Sequence, residues 1–346
     1  MSASILAQEI QEQPEAVERL LAANTEAVWK LAGEVRGKFQ SILVAARGTS
    51  DNAARYAQYL LGSFNRIPVT LATPSLFSIY QHAPNLSGTL VLGISQSGKS
   101  PDIVAVLAEG RAQGCPTVAL TNDPLSPLAS QADAVITLQA GKEQAVAATK
   151  TYTTSLSAVA LLSAALAADE SMLTEIRRLP GLMHETLSLN LAITRRMERY
   201  RFMQHGVVLG RGYNYATCGE VALKVMELTG TPMLAYSSAD FMHGPVGIIQ
   251  NGYPAFVVAH SGSLLDEMIE LLRDLKSRGA DLCVISDSPK ARALADFTLP
   301  IPSSVPEWLS PVTDVLPGQI LGWQLALAKG LDPDHPRGLH KVTETL

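Results

Sequence analysis

Cysteine is scarce in this chain: among 346 residues only Cys115, Cys218 and Cys283 occur, too far apart for a Cys-x-x-Cys pair or a Cys/His ligand set. That scarcity excludes a disulfide framework and a structural zinc site, and leaves three core thiols of a reducing compartment. Basic runs are missing as well, and so is any basic amphipathic helix. With 27 Lys and Arg against 32 Asp and Glu, a net charge of −5 and a pI near 5.8, neither a nucleic-acid partner nor a membrane surface is expected. The most apolar stretch, Leu156 to Ala168, is alanine-rich and falls short of the roughly 20 residues that span a bilayer. The start, Met1-Ser2-Ala3-Ser4 leading to Glu9, Glu12, Glu15 and Glu18, is acidic and helical rather than a signal peptide. A cytoplasmic location is therefore expected.

What is present is an ordinary globular composition, 47% apolar and 17% charged, at the length of about two domains. Apolar residues at helical spacing over 5–38, with Pro14 where a helix can begin, predict two or more helices before the first strand. The run Ser41–Ala46 predicts a buried strand, closed by Arg47-Gly48-Thr49-Ser50 and followed by a helix through Gly62. Further apolar runs lie at Val69–Ala72, Leu90–Ile94, Thr117–Thr121 and Ala134–Leu138. Short strands alternating with helices specify an α/β fold with a doubly wound parallel sheet. The pattern then repeats. Val207–Gly212 matches the run from Val44 to Gly48, Ala255–Gly262 matches Val91–Gly98, Leu282–Asp287 matches Thr117–Asn122, and Ala295–Leu299 echoes Ala132–Ile136. The expected organisation is a helical segment over 1–34, an α/β unit over 35–170, a helical connection over 171–194, a second unit over 195–330 and a tail over 331–346.

The most informative stretch runs from Leu90 to Asp102. An apolar strand breaks into a loop bearing Ser95, Ser97, Gly98 and Ser100 before a helical pattern from Ile103. Hydroxyls and backbone N–H groups at a helix start can converge on a phosphate. The second copy has His260-Ser261-Gly262-Ser263-Leu264-Leu265 there and lacks the hydroxyl spacing. A merely structural turn has no reason to be so polar in one copy alone.

Four more segments can carry chemistry. Glu220, Lys224 and Glu227 stand at i, i+4 and i+7 of an unbroken helical pattern, hence on one face, at about 100° per residue. Their apolar neighbours leave little of the helix free to be solvated, and partly buried Glu and Lys have the perturbed proton affinities a general base needs. Phe241-Met242-His243-Gly244-Pro245 puts a histidine in a turn, of interest beside that helix. Ala145–Thr151 places small residues and hydroxyls, with Lys150 as either a ligand or a structural charge, before a helix over Tyr152–Ala168. After Gly330 the chain has prolines and no helical period. Such tails usually fray, and one lysine in an ordered tail can instead serve as an amine for Schiff-base chemistry or as a charge.

Taken in order, these motifs resemble the double sugar isomerase (SIS) domain family, and within it the isomerase half of glutamine-fructose-6-phosphate aminotransferase. The resemblance is carried by Arg47–Ser50, Ser95–Gly98, Val146–Lys150, Glu220–Glu227, His243–Pro245, Asp332–Arg337 and Lys341–Glu344. It implies two tandem flavodoxin-like five-stranded sheets, with Thr49, Ser50, Ser95, Gln96, Ser97 and Ser100 holding a sugar phosphate. Val146 and Ala148 would belong to the sugar-contacting loop, Ala148 standing where the family has serine. Glu227 would move a proton between C1 and C2, assisted by Lys224 and Glu220. His243 would open the sugar ring from a neighbouring subunit, which implies a homodimer, and Lys341 would approach the substrate carbonyl, forming an imine or polarising it. The family's synthase carries an N-terminal glutaminase domain that begins with a catalytic cysteine, whereas this sequence has Ser2 and only 40 residues ahead of Ser41, where the first strand is expected, so ammonia production from glutamine is not expected.

Truncated relatives with an intact isomerase site are amino-sugar phosphate deaminases or isomerases. The expectation is thus a glucosamine-6-phosphate deaminase needing no metal or organic cofactor. The alternatives are another phosphosugar isomerase, an aminotransferase-like enzyme or a fructosamine-phosphate deglycase, and, in another class, a phosphosugar-sensing regulator.

Overall fold

The structure, a computed structural model, describes residues 4–191, 194–339 and 341. The Val342–Glu344 part of the tail motif and the rest of the chain end lie outside the described residues. Two compact units are formed. One comprises residues 15–143 and 150–178 with Lys341, the other 4–14, 144–149 and 179–339. The N-terminal helices Ile5–Gln11 and Gln13–Val35 are shared between them, Pro14 standing in the first turn of the second helix, where its missing N–H costs nothing.

The first sheet contains β1 (Ser41–Ala45), β2 (Val69–Leu71), β3 (Thr89–Ile94), β4 (Thr117–Thr121) and β5 (Ala134–Thr137), all parallel, in the order β2-β1-β3-β4-β5. The second contains β6 (Gly206–Gly210), β7 (Met233–Ser237), β8 (Pro254–Val258), β9 (Asp281–Ser286) and β10 (Phe297–Pro300), again parallel, in the order β10-β9-β8-β6-β7. Read from the other edge this is the same order, so the repeat seen in the sequence is a repeat of topology. Among the described strands the sequence pattern leaves β7 unmarked: it is a short edge strand whose apolar residues, Met233 to Tyr236, include no β-branched side chain.

Alternation of side chains builds the core of the second unit. Val207, Leu209, Ala255, Val257, Leu282 and Val284 face one helix layer that includes Met268, Leu272 and Leu275. Val208, Phe256, Val258, Cys283 and Ile285 face the other, with Val221, Val225, Leu321 and Leu325. Period-two alternation in strands buried on both faces gives this split. All three cysteines are buried and unpaired, and burial pushes their thiols above the ordinary range.

The recurring Ala-Asp before the last strand has one purpose in both copies. Asp133 accepts the Thr117 amide at 2.9 Å and Asp296 accepts the Leu282 amide at 2.9 Å, tying the last connection to the start of the preceding strand. Among the described residues no helix is long and apolar enough to cross a membrane.

Candidate active site

In a doubly wound sheet the ligand crevice opens at the carboxyl ends of the two strands where the chain order reverses. In the first unit those strands are β1 and β3, paired through Ala45 and Gly93. Their loops are Arg47–Ser50 and Ser95–Ser100, the two segments singled out for phosphate. The Thr49–Phe64 helix begins directly after Gly48, whose φ of +55° glycine adopts freely. The β3 loop is pinned internally. Ser95 Oγ accepts the Gly98 amide at 3.1 Å, Ser97 Oγ accepts the Lys99 amide at 3.3 Å, and the Gln96 carbonyl accepts the Asn122 amide at 3.1 Å.

Gly98 has φ +62°, and a Cβ there would lie 2.1 Å from Ser126 Oγ. Ser100 precedes Pro101 at the head of the Pro101–Ala112 helix without using its hydroxyl as a cap. Among the described residues, the hydroxyls of Ser50 and Ser100 and the Gln96 side-chain amide make no hydrogen bond. Those groups are open to an anion, and the hydroxyls of Ser95 and Ser97, which act as acceptors in the contacts above, still have a proton to donate.

A long-range ion pair ties the two loops together. Arg47 Nε donates to Asp102 Oδ2 at 2.8 Å, with Asp102 fully buried and Arg47 half exposed. Asp102 also receives the Ile103 amide at 2.9 Å, so it fixes both the helix start and the guanidinium. Nothing local links residues 55 positions apart, so no sequence pattern marks the pair.

The second unit has the same pair of loops after β6 and β8 but fills them differently. Gly212 has φ +60°, like Gly48, and Arg211 pairs with Glu267 in the first turn of the Leu265–Ser277 helix. Here the Ser263 amide donates to Glu307 Oε2 at 3.0 Å, and Glu307 packs directly over Gly262. A carboxylate of the chain itself takes the position an anion would need.

The proton-transfer candidates lie on the Asn214–Thr229 helix of this second unit. The Ser310–Ala328 helix crosses it closely, because Gly318 and Gly322 present no Cβ toward Val221 and Leu228. That contact buries Glu220 and Lys224 completely and leaves Glu227, in the last turn, with its side chain 24% exposed. Lys224 Nζ lies 3.3 Å from Glu220 Oε1 and bonds Glu227 Oε2. Burial alone would lower the Lys224 pKa, but the charges of Glu220 and Glu227 outweigh it and hold the ammonium above its ordinary value. Lys224 is therefore a fixed cation, not a base. Glu227 keeps its second oxygen, Oε1, without a hydrogen bond among the described residues. It lines a cavity of about 660 Å³ formed by the end of this helix and by the 330–339 segment, with Asp332, His335 and Arg337.

The other candidates are more dispersed. His243 is exposed after the Ser238–Met242 helix, its Nδ1 bonded to the Ala239 carbonyl at 2.7 Å. Val146 and Ala148 are half buried in a loop held by Glu9, which accepts the amides of Gln144 and Ala145 at 2.5 and 3.2 Å. Lys150 is buried and donates to the Lys142 carbonyl at 2.9 Å. Lys341 Nζ bonds Glu143 Oε2 at 2.8 Å, and Glu143 also takes the amide and hydroxyl of Thr151 at 3.1 and 2.8 Å. Among the described residues no group of three His, Cys, Asp or Glu is placed to hold a metal ion.

Comparison with known proteins gives a consistent picture. A model of the SIS domain matches residues 38–165 and 204–328. The isomerizing glutamine-fructose-6-phosphate aminotransferase of Pyrococcus horikoshii is 33% identical over 339 residues, which cover 96% of this chain and 56% of that protein. The chain thus spans little more than half the length of this relative. A provisionally named phosphosugar isomerase from Silicibacter pomeroyi superimposes with a TM-score of 0.87 at 31% identity, covering 96% of this chain and 100% of that one. The glucosamine-6-phosphate deaminase of Thermotoga maritima superimposes with a TM-score of 0.82 at 22% identity, over 99% and 100% of the two chains, and so shares the fold.

Proposed function

Since the chain belongs to the SIS domain family, we propose that it is a phosphosugar enzyme converting glucosamine 6-phosphate to fructose 6-phosphate and ammonia. The observation that carries this reading is the Glu220/Lys224/Glu227 face. A buried ammonium between two carboxylates serves no solvation purpose, and one of those carboxylates opens to a cavity with an oxygen unused. A carboxylate so placed removes the C2 proton of the open-chain amino aldose and returns a proton at C1, giving a fructose imine. Water adds to the imine and ammonia leaves. Atoms balance as sugar phosphate plus water going to ketose phosphate plus ammonia.

The loops after β1 and β3 serve in this proposal as the phosphate anchor, a remote handle that fixes the position of the reacting carbons. Thr49, Ser50, Ser95, Gln96, Ser97 and Ser100 are the residues assigned to it, with Val146 and Ala148 on the sugar side. His243 opens the ring from a second subunit of a homodimer, and Lys341 exchanges Glu143 for the substrate carbonyl. The identity to the aminotransferase supports the proton-transfer half of that chemistry and not the use of glutamine, since just over half of that protein is matched.

The test is direct. Purified protein is incubated with glucosamine 6-phosphate, and fructose 6-phosphate and ammonia are measured in equal amounts. Tight binding of the phosphosugar without turnover would replace the enzyme by a phosphosugar sensor. Turnover of an unaminated aldose phosphate alone would make it a simple isomerase.

A further inference from the structure

The geometry points to His335, oriented by Asp332, as the base that activates the water hydrolysing the imine. This rests on the deaminase reading and names a residue for the step that a plain isomerase does not perform.

The residue sits on a segment that composition alone would leave frayed. Asp334 holds it in place. Its carboxylate accepts the Ser4 hydroxyl at 2.8 Å and the amides of Ile5 and Leu6 at 2.9 and 2.8 Å, capping the Ile5–Gln11 helix within the same unit. Pro333 and Pro336 are buried on either side of that anchor. The segment therefore forms one wall of the cavity of about 660 Å³ whose other wall carries Glu227, and His335 lines the same cavity.

His335 Nδ1 lies 3.0 Å from Asp332 Oδ2, and Asp332 Oδ1 accepts the Asp334 amide at 2.9 Å. These hydrogen bonds hold the Asp332 carboxyl below the usual carboxylate range. An ionised carboxylate only accepts, so Nδ1 carries the hydrogen and the lone pair falls on Nε2. Among the described residues Nε2 makes no hydrogen bond, and the side chain is 81% exposed, open to water. A carboxylate fixing the tautomer of an imidazole whose other nitrogen is unoccupied is the arrangement of a general base.

The step balances as follows. Nε2 takes a proton from water as the water oxygen bonds to C2 of the imine, and the imidazolium gives that proton to the imine nitrogen, forming the carbinolamine. Nε2 then takes the carbinol proton and passes it to the same nitrogen. The C2–N bond breaks with its electron pair leaving on ammonia, and C2 becomes the ketone. Asp332 is a positioning residue here.

His335→Gln separates the two halves of the reaction. Proton exchange between C1, C2 and solvent is followed by NMR in deuterated water, and ammonia release is measured in the same samples. In the variant, exchange stays within about threefold of the unmodified protein while ammonia release falls by about 10²-fold, the scale of losing a general base. Asp332→Asn gives the same split, less severely. Ammonia release at the unmodified rate would overturn the role of His335, and so would exchange and release falling together, the mark of a displaced tail. An unmodified protein that exchanges no proton with any phosphosugar would overturn the deaminase reading itself and this step with it.

Discussion

Raising the pH from about 6 to about 10 should weaken the unit that contains His260 far more than the loss of any surface ion pair would. His260 Nδ1 is 3.1 Å from Asp314 Oδ2 and Nε2 is 3.1 Å from the Val305 carbonyl. Both partners only accept, so both contacts are satisfied only by the doubly protonated ring. Burial alone would lower its pKa, but the charges of Asp314 and Asp287 outweigh burial and push it up from 6.5 to about 9. A folded-state pKa above the unfolded one means that the native state binds the extra proton. The stabilisation is complete below pH 6.5 and is lost as the pH rises through about 9. At about 1.4 kcal/mol per pH unit, the interval amounts to about 3 kcal/mol. Urea unfolding followed by tryptophan fluorescence reads it, since Trp308 and Trp323 belong to this unit. His260→Gln is the comparison, and its stability should be nearly flat where the unmodified protein declines. An NMR titration of the ring gives a second readout, with a midpoint near pH 9. Parallel pH curves for the two proteins, or a midpoint at the ordinary histidine value, would refute the reasoning.

Two further predictions bear on the site. Gly98→Ala forces a Cβ to 2.1 Å from Ser126 Oγ at a φ of +62°, which should cost about 1–3 kcal/mol by overpacking and weaken phosphosugar binding in calorimetry; an unchanged affinity and Tm would contradict the cradle. Lys224→Met strips the cation from the fully buried Glu220 and should cost about 3–5 kcal/mol in chemical denaturation; a loss below about 1 kcal/mol would mean that Glu220 is not held as a charge.

Local signals carried most of the fold. Apolar runs bounded by turns mark nine of the ten described strands, and the repeat of those runs agrees with the strand order that both sheets share. The edge strand Met233–Ser237 escapes because its short apolar run is built on Met, Leu and Ala, which favour a helix as readily as a strand. Helical spacing was enough to place Glu220, Lys224 and Glu227 together, but how deeply Lys224 is buried depends on Gly318 and Gly322 of another helix. Pairs far apart in the chain left no trace in the sequence: Arg47 with Asp102, His260 with Asp314, Lys341 with Glu143, Ser4 with Asp334. The last explains why the proline-rich segment after Gly330 is a wall of a cavity rather than a loose end. Its order comes from a helix cap more than three hundred positions away, which no local pattern can announce.

Proton transfer by Glu227 is the claim on which the proposed function depends, and solvent isotope exchange tests it without reference to how the imine is hydrolysed. During turnover of glucosamine 6-phosphate in deuterated water, the unmodified protein should place deuterium at C1 of the product. Glu227→Gln keeps the shape of the side chain and its contact with Lys224 but cannot take a proton, and exchange should fall by about 10²–10⁴-fold. Deuterium incorporation at an undiminished rate in Glu227→Gln would contradict the assignment.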